Sequence, residues 1–199
     1  MDVLVLYYSF SGHTRAVSEA LAKELGADLR EIECPAYRRW YGPLAMLWDI
    51  ATRHRPRVLP VGSPGTYYDL IVVGGPVWAA QAAPPVMSVL DDCGRHFRRA
   101  ALFVTCSGTH RSSRPEDAIT EMSVALGDRP AATKIFREAE IGSADIATAV
   151  AGFGAELRAV RSSGGATRAQ PRSTNRSPLD WPTVLTSPSG HPLPQNAKE

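Results

Sequence analysis

Two phosphate-binding patterns are missing from this chain. The first apolar segment is not followed by G-x-G-x-x-G, and G-x-x-x-x-G-K-[ST] does not occur anywhere in the 199 residues. The first absence excludes a dinucleotide-binding Rossmann loop, and the second excludes a P-loop nucleotide hydrolase. Any phosphate site in this chain must therefore be built without a glycine triplet or a P-loop lysine.

Cysteines and long apolar runs are also scarce. The three cysteines, Cys34, Cys93 and Cys106, are far apart and lack C-x-x-C spacing, which argues against a disulfide framework and against a zinc site. No run approaches the ~18 apolar residues that a membrane-spanning helix needs. Residues 1–8 lack the basic segment and length of a signal peptide. We expect a cytoplasmic protein with no bound metal.

The chain has no strong charge of one sign. Its formal net charge is +2, and residues 161–199 hold five basic and two acidic residues, so the first 160 residues carry about −1. The basic pI therefore comes from the tail and gives no reason to expect a nucleic-acid groove. The tail is rich in Ser, Pro, Gly and Arg without sustained periodicity, so we predict one domain over 1–160 and a disordered segment over 161–199.

Short apolar runs alternate with helical patterns along the first 160 residues. Strands are predicted at 3–7, 28–32, 69–73, 100–104 and 132–138, and helices at 14–25, 84–90, 115–126 and 145–160. This alternation is typical of a doubly wound parallel sheet, whose ligands bind at the carboxyl ends of the strands. The longer connection over 35–68 contains an amphipathic pattern from Trp40 to Ala51, which could form a lid or simply cover one sheet face.

The segment that joins the first strand to the first helix is Ser9-Phe10-Ser11-Gly12-His13-Thr14. Its hydroxyl and backbone N–H groups meet at the start of a helix, where unpaired donors and the helix dipole favour an anion. Taken alone, the segment is only moderately specific, because the same residues are also compatible with a simple helix cap without a ligand.

Three strand-end segments together resemble the flavodoxin family. S-x-S-G-x-T after the first strand is similar to its FMN-phosphate loop, and Gly74-Gly75-Pro76-Val77-Trp78-Ala79 with Ala83-Pro84-Pro85-Val86 resembles the G-T-P-V-W…P-P-V pattern of a bacterial flavodoxin-like subgroup. Cys106-Ser107-Gly108-Thr109-His110 follows the fourth strand, where the family has its other flavin-flanking loop.

The resemblance implies an α/β flavodoxin-like fold, with a doubly wound five-stranded parallel sheet in the order 2-1-3-4-5 and helices on both faces. It also implies an FMN site. The phosphate would be held by Ser9, Phe10, Ser11, Gly12, His13 and Thr14. One side of the flavin ring would be flanked by Pro76, Val77, Trp78 and Ala79, and the other side by Cys106, Ser107, Gly108 and Thr109. Trp78 is the candidate to stack on the ring.

Related folds with other chemistry fit less well. A low-molecular-weight tyrosine phosphatase needs a cysteine and an arginine in the first loop, and a response regulator needs acidic residues after the first strand and an aspartate after the third. This chain has serines and no cysteine in the first loop, and no acidic residue at the other two places. Cys106 is more simply interpreted as a buried thiol than as a redox group. His110 is a weak candidate for a proton donor to reduced flavin or a quinone.

The leading functional hypothesis is an FMN-dependent redox protein. It is either an electron carrier that docks with redox partner proteins or an NAD(P)H-dependent reductase of quinone-like small acceptors. Carriers of this family are usually strongly acidic, so the near-neutral body favours the reductase. The alternative from another class is a flavin-free binding or regulatory module that retains the fold.

Overall fold

The computed structural model describes residues 2–62, 64–107, 114–127, 129–141 and 145–163, with side chains up to residue 160. Within these ranges the chain forms six strands: β1 Val3–Tyr7, β2 Asp28–Glu31, β3 Leu70–Trp78, β4 Gln81–Ala82, β5 Ala100–Cys106 and β6 Thr133–Arg137. It forms seven α-helices: α1 His13–Leu25, α2 Gly42–Thr52, α3 Pro64–Tyr67, α4 Pro84–Cys93, α5 Pro115–Leu126, α6 Glu138–Ile141 and α7 Asp145–Ser163. Two 3-10 turns, Pro35–Arg38 and Gly94–His96, complete the elements.

Five of the strands form one parallel sheet in the order β2-β1-β3-β5-β6. The central strand β1 pairs with two neighbours, so that Val5 lies opposite Leu29 of β2 and Val72 of β3. The short strand β4 pairs only with β3, in an antiparallel hairpin. Without β4, the order is the expected 2-1-3-4-5, so the predicted fold class is confirmed.

Apolar side chains cover both faces of the sheet because successive residues of a buried strand point in opposite directions. Leu4 and Leu6 of β1 face one core, which α4 and α5 cover with residues such as Met87 and Met122. Val3 and Val5 face a second core on the other side. That core is covered by residues of α1 and α7: Val17, Leu21, Val150, Phe153 and Leu157.

The third strand is longer than the sequence predicts. The Gly-Gly-Pro segment indicated a loop after Val73, but β3 continues to Trp78, and Gly74 pairs with Phe103 of β5. A Cβ atom on Gly74 would lie 2.0 Å from the Phe103 ring, and one on Gly75 would lie 2.6 Å from Val86. These glycines therefore allow close packing of neighbouring side chains, which overrides their preference for turns.

The predicted insertion helix is present as α2, but its large apolar side chains point outwards. Ala45 and Met46 are half-buried against the first core, whereas Leu44 and Leu47 are exposed. The helix α7 extends to Ser163, three residues past the predicted domain end. The rest of the predicted disordered segment, 164–199, lies outside the described residues, so the domain boundary stays a prediction.

The described residues contain neither a membrane-spanning helix nor a cluster of metal ligands. No helix in them combines the length and apolar character needed to cross a bilayer. No group of three or more His, Cys, Asp or Glu side chains among them is arranged to hold a metal ion.

Candidate functional site

The first strand–helix loop is closed by a single hydroxyl. Ser9 Oγ accepts hydrogen bonds from the backbone N–H groups of Gly12 and Arg15, both at 3.2 Å. Gly12 adopts a left-handed conformation with φ of 95° just before α1 begins. A Cβ atom built on Gly12 would meet no atom within 4 Å. The space directly above the loop is therefore open, as a phosphate site at this helix start requires.

Only part of the donor set at the start of α1 is used by Ser9. The first turn of a helix leaves four N–H groups without intrahelical partners, and here they belong to Gly12, His13, Thr14 and Arg15. Ser9 accepts hydrogen bonds from two of these groups, those of Gly12 and Arg15. The N–H groups of His13 and Thr14 are therefore the ones that can donate hydrogen bonds to an anion. The side chains of Ser11 and His13 are exposed at the same place.

The hydroxyl of Thr14 does not face this opening. Thr14 is 1% exposed, and its Oγ1 lies 2.7 Å from Oγ1 of the buried Thr105, which is near the end of β5. That oxygen is therefore engaged inside the protein, and the role of Thr14 in phosphate binding stays a prediction. Its backbone N–H remains at the helix start.

The structure brings the first loop into contact with Trp78. The Phe10 and Trp78 ring centroids are 5.9 Å apart, and Tyr8 lies 5.8 Å from Trp78, both in edge-to-face geometry. Tyr37 completes the cluster at 6.4 Å with tilted rings. Trp78 is half-buried. Two of the three predicted segments are thus adjacent, and an aromatic wall stands beside the open helix start.

The residues around Trp78 form the end of the β3–β4 hairpin. Pro76, Val77 and Trp78 are the last residues of β3, and Trp78 pairs with Gln81 across a turn of only two residues. Both turn residues are non-glycine in the left-handed region: Ala79 at φ of 49° and Ala80 at φ of 60°. Such a turn normally uses Asn and Gly, so the site is held by a strained connection.

The third predicted segment is only partly described. Cys106 is buried at the end of β5, and burial raises the pKa of its thiol. Ser107 is exposed. Gly108, Thr109 and His110 lie outside the described residues. The role of His110 as a proton donor therefore stays a prediction.

A polar cluster beside Trp78 was not predicted from the sequence. The Tyr37 hydroxyl donates to Asp49 Oδ2 at 2.8 Å, and Oδ1 of the same buried carboxylate lies 2.7 Å from His54 Nδ1. Burial and the hydrogen bond to Asp49 raise the pKa of Tyr37. The cluster ties α2 and the residues after it to the aromatic wall. The only sequence signal is the isolated acid at Asp49 within an apolar helix.

Two cavities border the site. One of about 260 Å³ lies between the first loop and the segment after β2. Arg15 donates to both carboxylate oxygens of Glu31 there, at 2.9 and 3.0 Å. A larger cavity of about 600 Å³ lies beyond the hairpin turn, between α4 and α5, with Arg55 bridging Asp91 and Glu121. Neither cavity is lined by Trp78. The Arg15 guanidinium is thus paired with Glu31 beside the first loop.

No protein-family model matches the sequence, and no curated protein matches it. Solved structures do match. A flavoprotein in complex with FMN from Lactobacillus acidophilus is 23% identical, with a TM-score of 0.57 over 71% of this chain and 96% of its own. The oxidised flavodoxin 2 of Bacillus cereus is 14% identical, with a TM-score of 0.54 over 80% and 99%.

A flavodoxin, WrbA-like protein from Agrobacterium tumefaciens is 15% identical, with a TM-score of 0.52 over 81% of this chain and 98% of its own. These identities are low, so the likeness concerns the arrangement of the chain. The coverage of each matched structure is nearly complete, and the sheet order is the one that the three strand-end motifs implied. The chain therefore has the flavodoxin-like α/β fold.

Proposed function

We propose that this protein binds FMN at the carboxyl ends of β1, β3 and β5 and acts in redox chemistry. The observation that carries the proposal is the contact between Phe10 of the first loop and Trp78 of β3, with ring centroids 5.9 Å apart. An open anion-binding helix start thereby lies beside an aromatic wall, as a ligand with a phosphate arm and a planar ring system requires. The similar Lactobacillus flavoprotein was solved with FMN.

The proposed roles follow the position of each residue. The N–H groups of His13 and Thr14 and the Ser11 hydroxyl would bind the phosphate, while Ser9 fixes the loop. Residues 76–79 would line one side of the ring, and residues 106–109 the other. When bound, FMN supplies one- and two-electron transfer, and the protein holds the ring and limits its exposure to water.

Of the two redox functions, we favour reduction of quinone-like small acceptors by NAD(P)H in the cytoplasm. The first 160 residues carry a formal charge of about −1, whereas docking of an electron carrier on a basic partner is helped by a strongly acidic surface. A carrier function with redox partner proteins is the second candidate.

One observation supports the flavin-free binding module instead. Ser9 Oγ already satisfies the N–H groups of Gly12 and Arg15 without any anion. The loop is therefore stable as a simple helix cap, and a protein that had lost flavin binding could keep the same geometry.

The cofactor can be tested by heat release and reconstitution. The purified protein is expected to release FMN on denaturation, and the apoprotein is expected to bind FMN more tightly than riboflavin, which lacks the phosphate. Ser11→Glu places a negative charge at the open helix start, so it should weaken FMN binding at least tenfold and leave riboflavin binding unchanged. Thr66→Glu, at an exposed position in α3, is the matched control.

Colourless protein that binds neither FMN nor riboflavin would refute the cofactor proposal and favour the module. With FMN bound, steady-state oxidation of NADH or NADPH in the presence of a quinone separates the two redox functions. Turnover supports the reductase, and its absence supports the carrier.

A further inference from the structure

The outer face of α2 is a row of exposed apolar side chains. Trp40, just before the helix, is 92% exposed, and along the helix Leu44, Leu47 and Trp48 are 69%, 62% and 66% exposed. The spacing of four, seven and eight residues places them on one side of the helix. We call this row of Trp40, Leu44, Leu47 and Trp48 the α2 apolar face. Scattered apolar residues are normal on a protein surface, but four large ones in a row indicate an interaction surface.

The orientation of α2 is fixed by contacts on its other side. Asp49 is 5% exposed and bonds both the Tyr37 hydroxyl and His54. Ala45 and Met46 pack partly against the first core. Turning the helix to bury the α2 apolar face would break the Asp49 contacts and leave a buried carboxylate without partners, which is costly. The outward direction of the face is thus a stable feature of the fold.

The chain around the α2 apolar face is rich in arginine. From residue 38 to residue 57 the chain contains five arginines, at 38, 39, 53, 55 and 57, and one acid, the buried Asp49. Three of these arginines are matched by acids: Arg38 pairs with Glu33, Arg53 with Glu121, and Arg55 with both Asp91 and Glu121. Arg39 and Arg57 are exposed and form no ion pair with any residue that the structure describes. Arg39, whose guanidinium carbon lies 6.0 Å from the centroid of the exposed Tyr41 ring, and Arg57 are thus the cationic groups that no described acid offsets.

We propose that the α2 apolar face binds the surface of an anionic lipid bilayer. An amphipathic helix with tryptophans and leucines on one face and arginines at its borders lies in the plane of the membrane interface, where indole rings are favoured and anionic headgroups attract the arginines. A second copy of this chain is a poorer occupant, because a two-fold contact would bring the two arginine rims together. This inference does not depend on the flavin.

The test is sedimentation of the full chain with vesicles of phosphatidylcholine, with and without phosphatidylglycerol. We expect binding to the anionic vesicles, at least tenfold weaker binding to the neutral ones, and weakening at high salt. Leu44→Gln/Leu47→Gln removes apolar area without charge and should weaken binding by about a hundredfold, since each leucine contributes about tenfold. Val124→Gln, at a position 72% exposed on α5, is the matched control and should bind like the wild type.

A second variant tests the charges. Arg39→Gln/Arg57→Gln should weaken binding to anionic vesicles by about fivefold per arginine and reduce the salt dependence. The thermal unfolding of every variant shows whether it is folded. Equal binding to neutral and anionic vesicles, or no binding to either, would overturn the proposal. A wild-type dimer that Leu44→Gln/Leu47→Gln converts to a monomer, without lipid binding in either protein, would assign the face to a second copy.

Discussion

The hydroxyl oxygens of Thr14 and Thr105 lie 2.7 Å apart in a buried hydrogen bond that joins the start of α1 to the end of β5. The sequence placed Thr14 at a phosphate site and gave Thr105 no role. In the structure, the pair links the start of α1 to the end of β5 inside the protein. The position of the open N–H donors at the start of α1 thus depends on a contact between residues 91 positions apart.

We expect Thr14→Val and Thr105→Val each to lower the free energy of unfolding by about 1–3 kcal/mol, because each leaves one buried hydroxyl without its partner. The double variant should cost less than the sum, since both polar groups are then removed. Urea unfolding measures all three. The exposed Thr133→Val on β6 is the control, and additive costs would contradict the pairing.

The Thr14→Val variant also separates structure from ligand binding. Because the hydroxyl of Thr14 is buried, FMN affinity should stay near that of the wild type at temperatures where the variant is folded. A loss of FMN affinity as large as that of Ser11→Glu would show that Thr14 turns outwards when the phosphate binds.

The hairpin turn offers a stabilising substitution. Ala79 and Ala80 both have positive φ, which costs an L residue with a Cβ about 1–2 kcal/mol. Ala79→Asn/Ala80→Gly matches the preferred two-residue turn, so we expect the free energy of unfolding to rise by about 1 kcal/mol. Ala147→Gly in α7 is the control and should be destabilising. An unstable double variant would show that the alanines contribute contacts that outweigh the strain.

Local sequence patterns predict most elements of the fold because they depend on neighbouring residues. The strand at Val3–Tyr7 and the helix at Pro115–Leu126 have the predicted bounds. The extension of β3 through Gly74 could not be predicted, because it depends on the Phe103 ring that lies over this glycine. The inward turn of the Thr14 hydroxyl likewise depends on Thr105, which is distant in sequence, and the outward α2 apolar face depends on a side-chain contact between Asp49 and Tyr37.

Alkaline pH should reveal the hydrogen bond between Tyr68 and Asp28. Burial and that bond, 2.7 Å long, raise the pKa of Tyr68 to about 12. Since an unfolded tyrosine has a pKa of about 10, its contribution to stability is complete below pH ~10 and is lost as pH rises towards ~12. The difference in unfolding free energy between wild type and Tyr68→Phe should therefore shrink over this range. A difference that stays constant with pH would contradict the raised pKa.

The three thiols should react slowly in the folded protein. Burial raises the pKa of Cys34, Cys93 and Cys106, that of Cys93 to about 11. Because the thiolate is the reactive form, labelling by an aromatic disulfide at pH ~8 should be at least about tenfold slower than in urea. If one thiol of the folded protein is labelled rapidly, and this rapid labelling disappears in Cys106→Ala, the result would support a redox role for Cys106.

The proposed stacking role of Trp78 can be tested against another tryptophan of the same chain. Trp78→Leu removes the aromatic wall beside the first loop, and Trp78→Phe retains a smaller ring. Aromatic pairs contribute about 0.5–1.5 kcal/mol beyond buried area, so we expect Trp78→Leu to weaken FMN binding by about tenfold and Trp78→Phe by less. Flavin fluorescence titration of the apoprotein measures both.

Trp48→Leu is the matched control, because Trp48 is 66% exposed on α2 and does not belong to the cluster that Tyr8, Phe10 and Tyr37 form around Trp78. It should bind FMN like the wild type. Riboflavin adds the decisive comparison, since the ring contact does not involve the phosphate. Trp78→Leu should weaken riboflavin and FMN binding by the same factor, whereas Ser11→Glu affects only FMN. If Trp78→Leu and Trp48→Leu bind both flavins equally well, Trp78 does not form the wall of a flavin site.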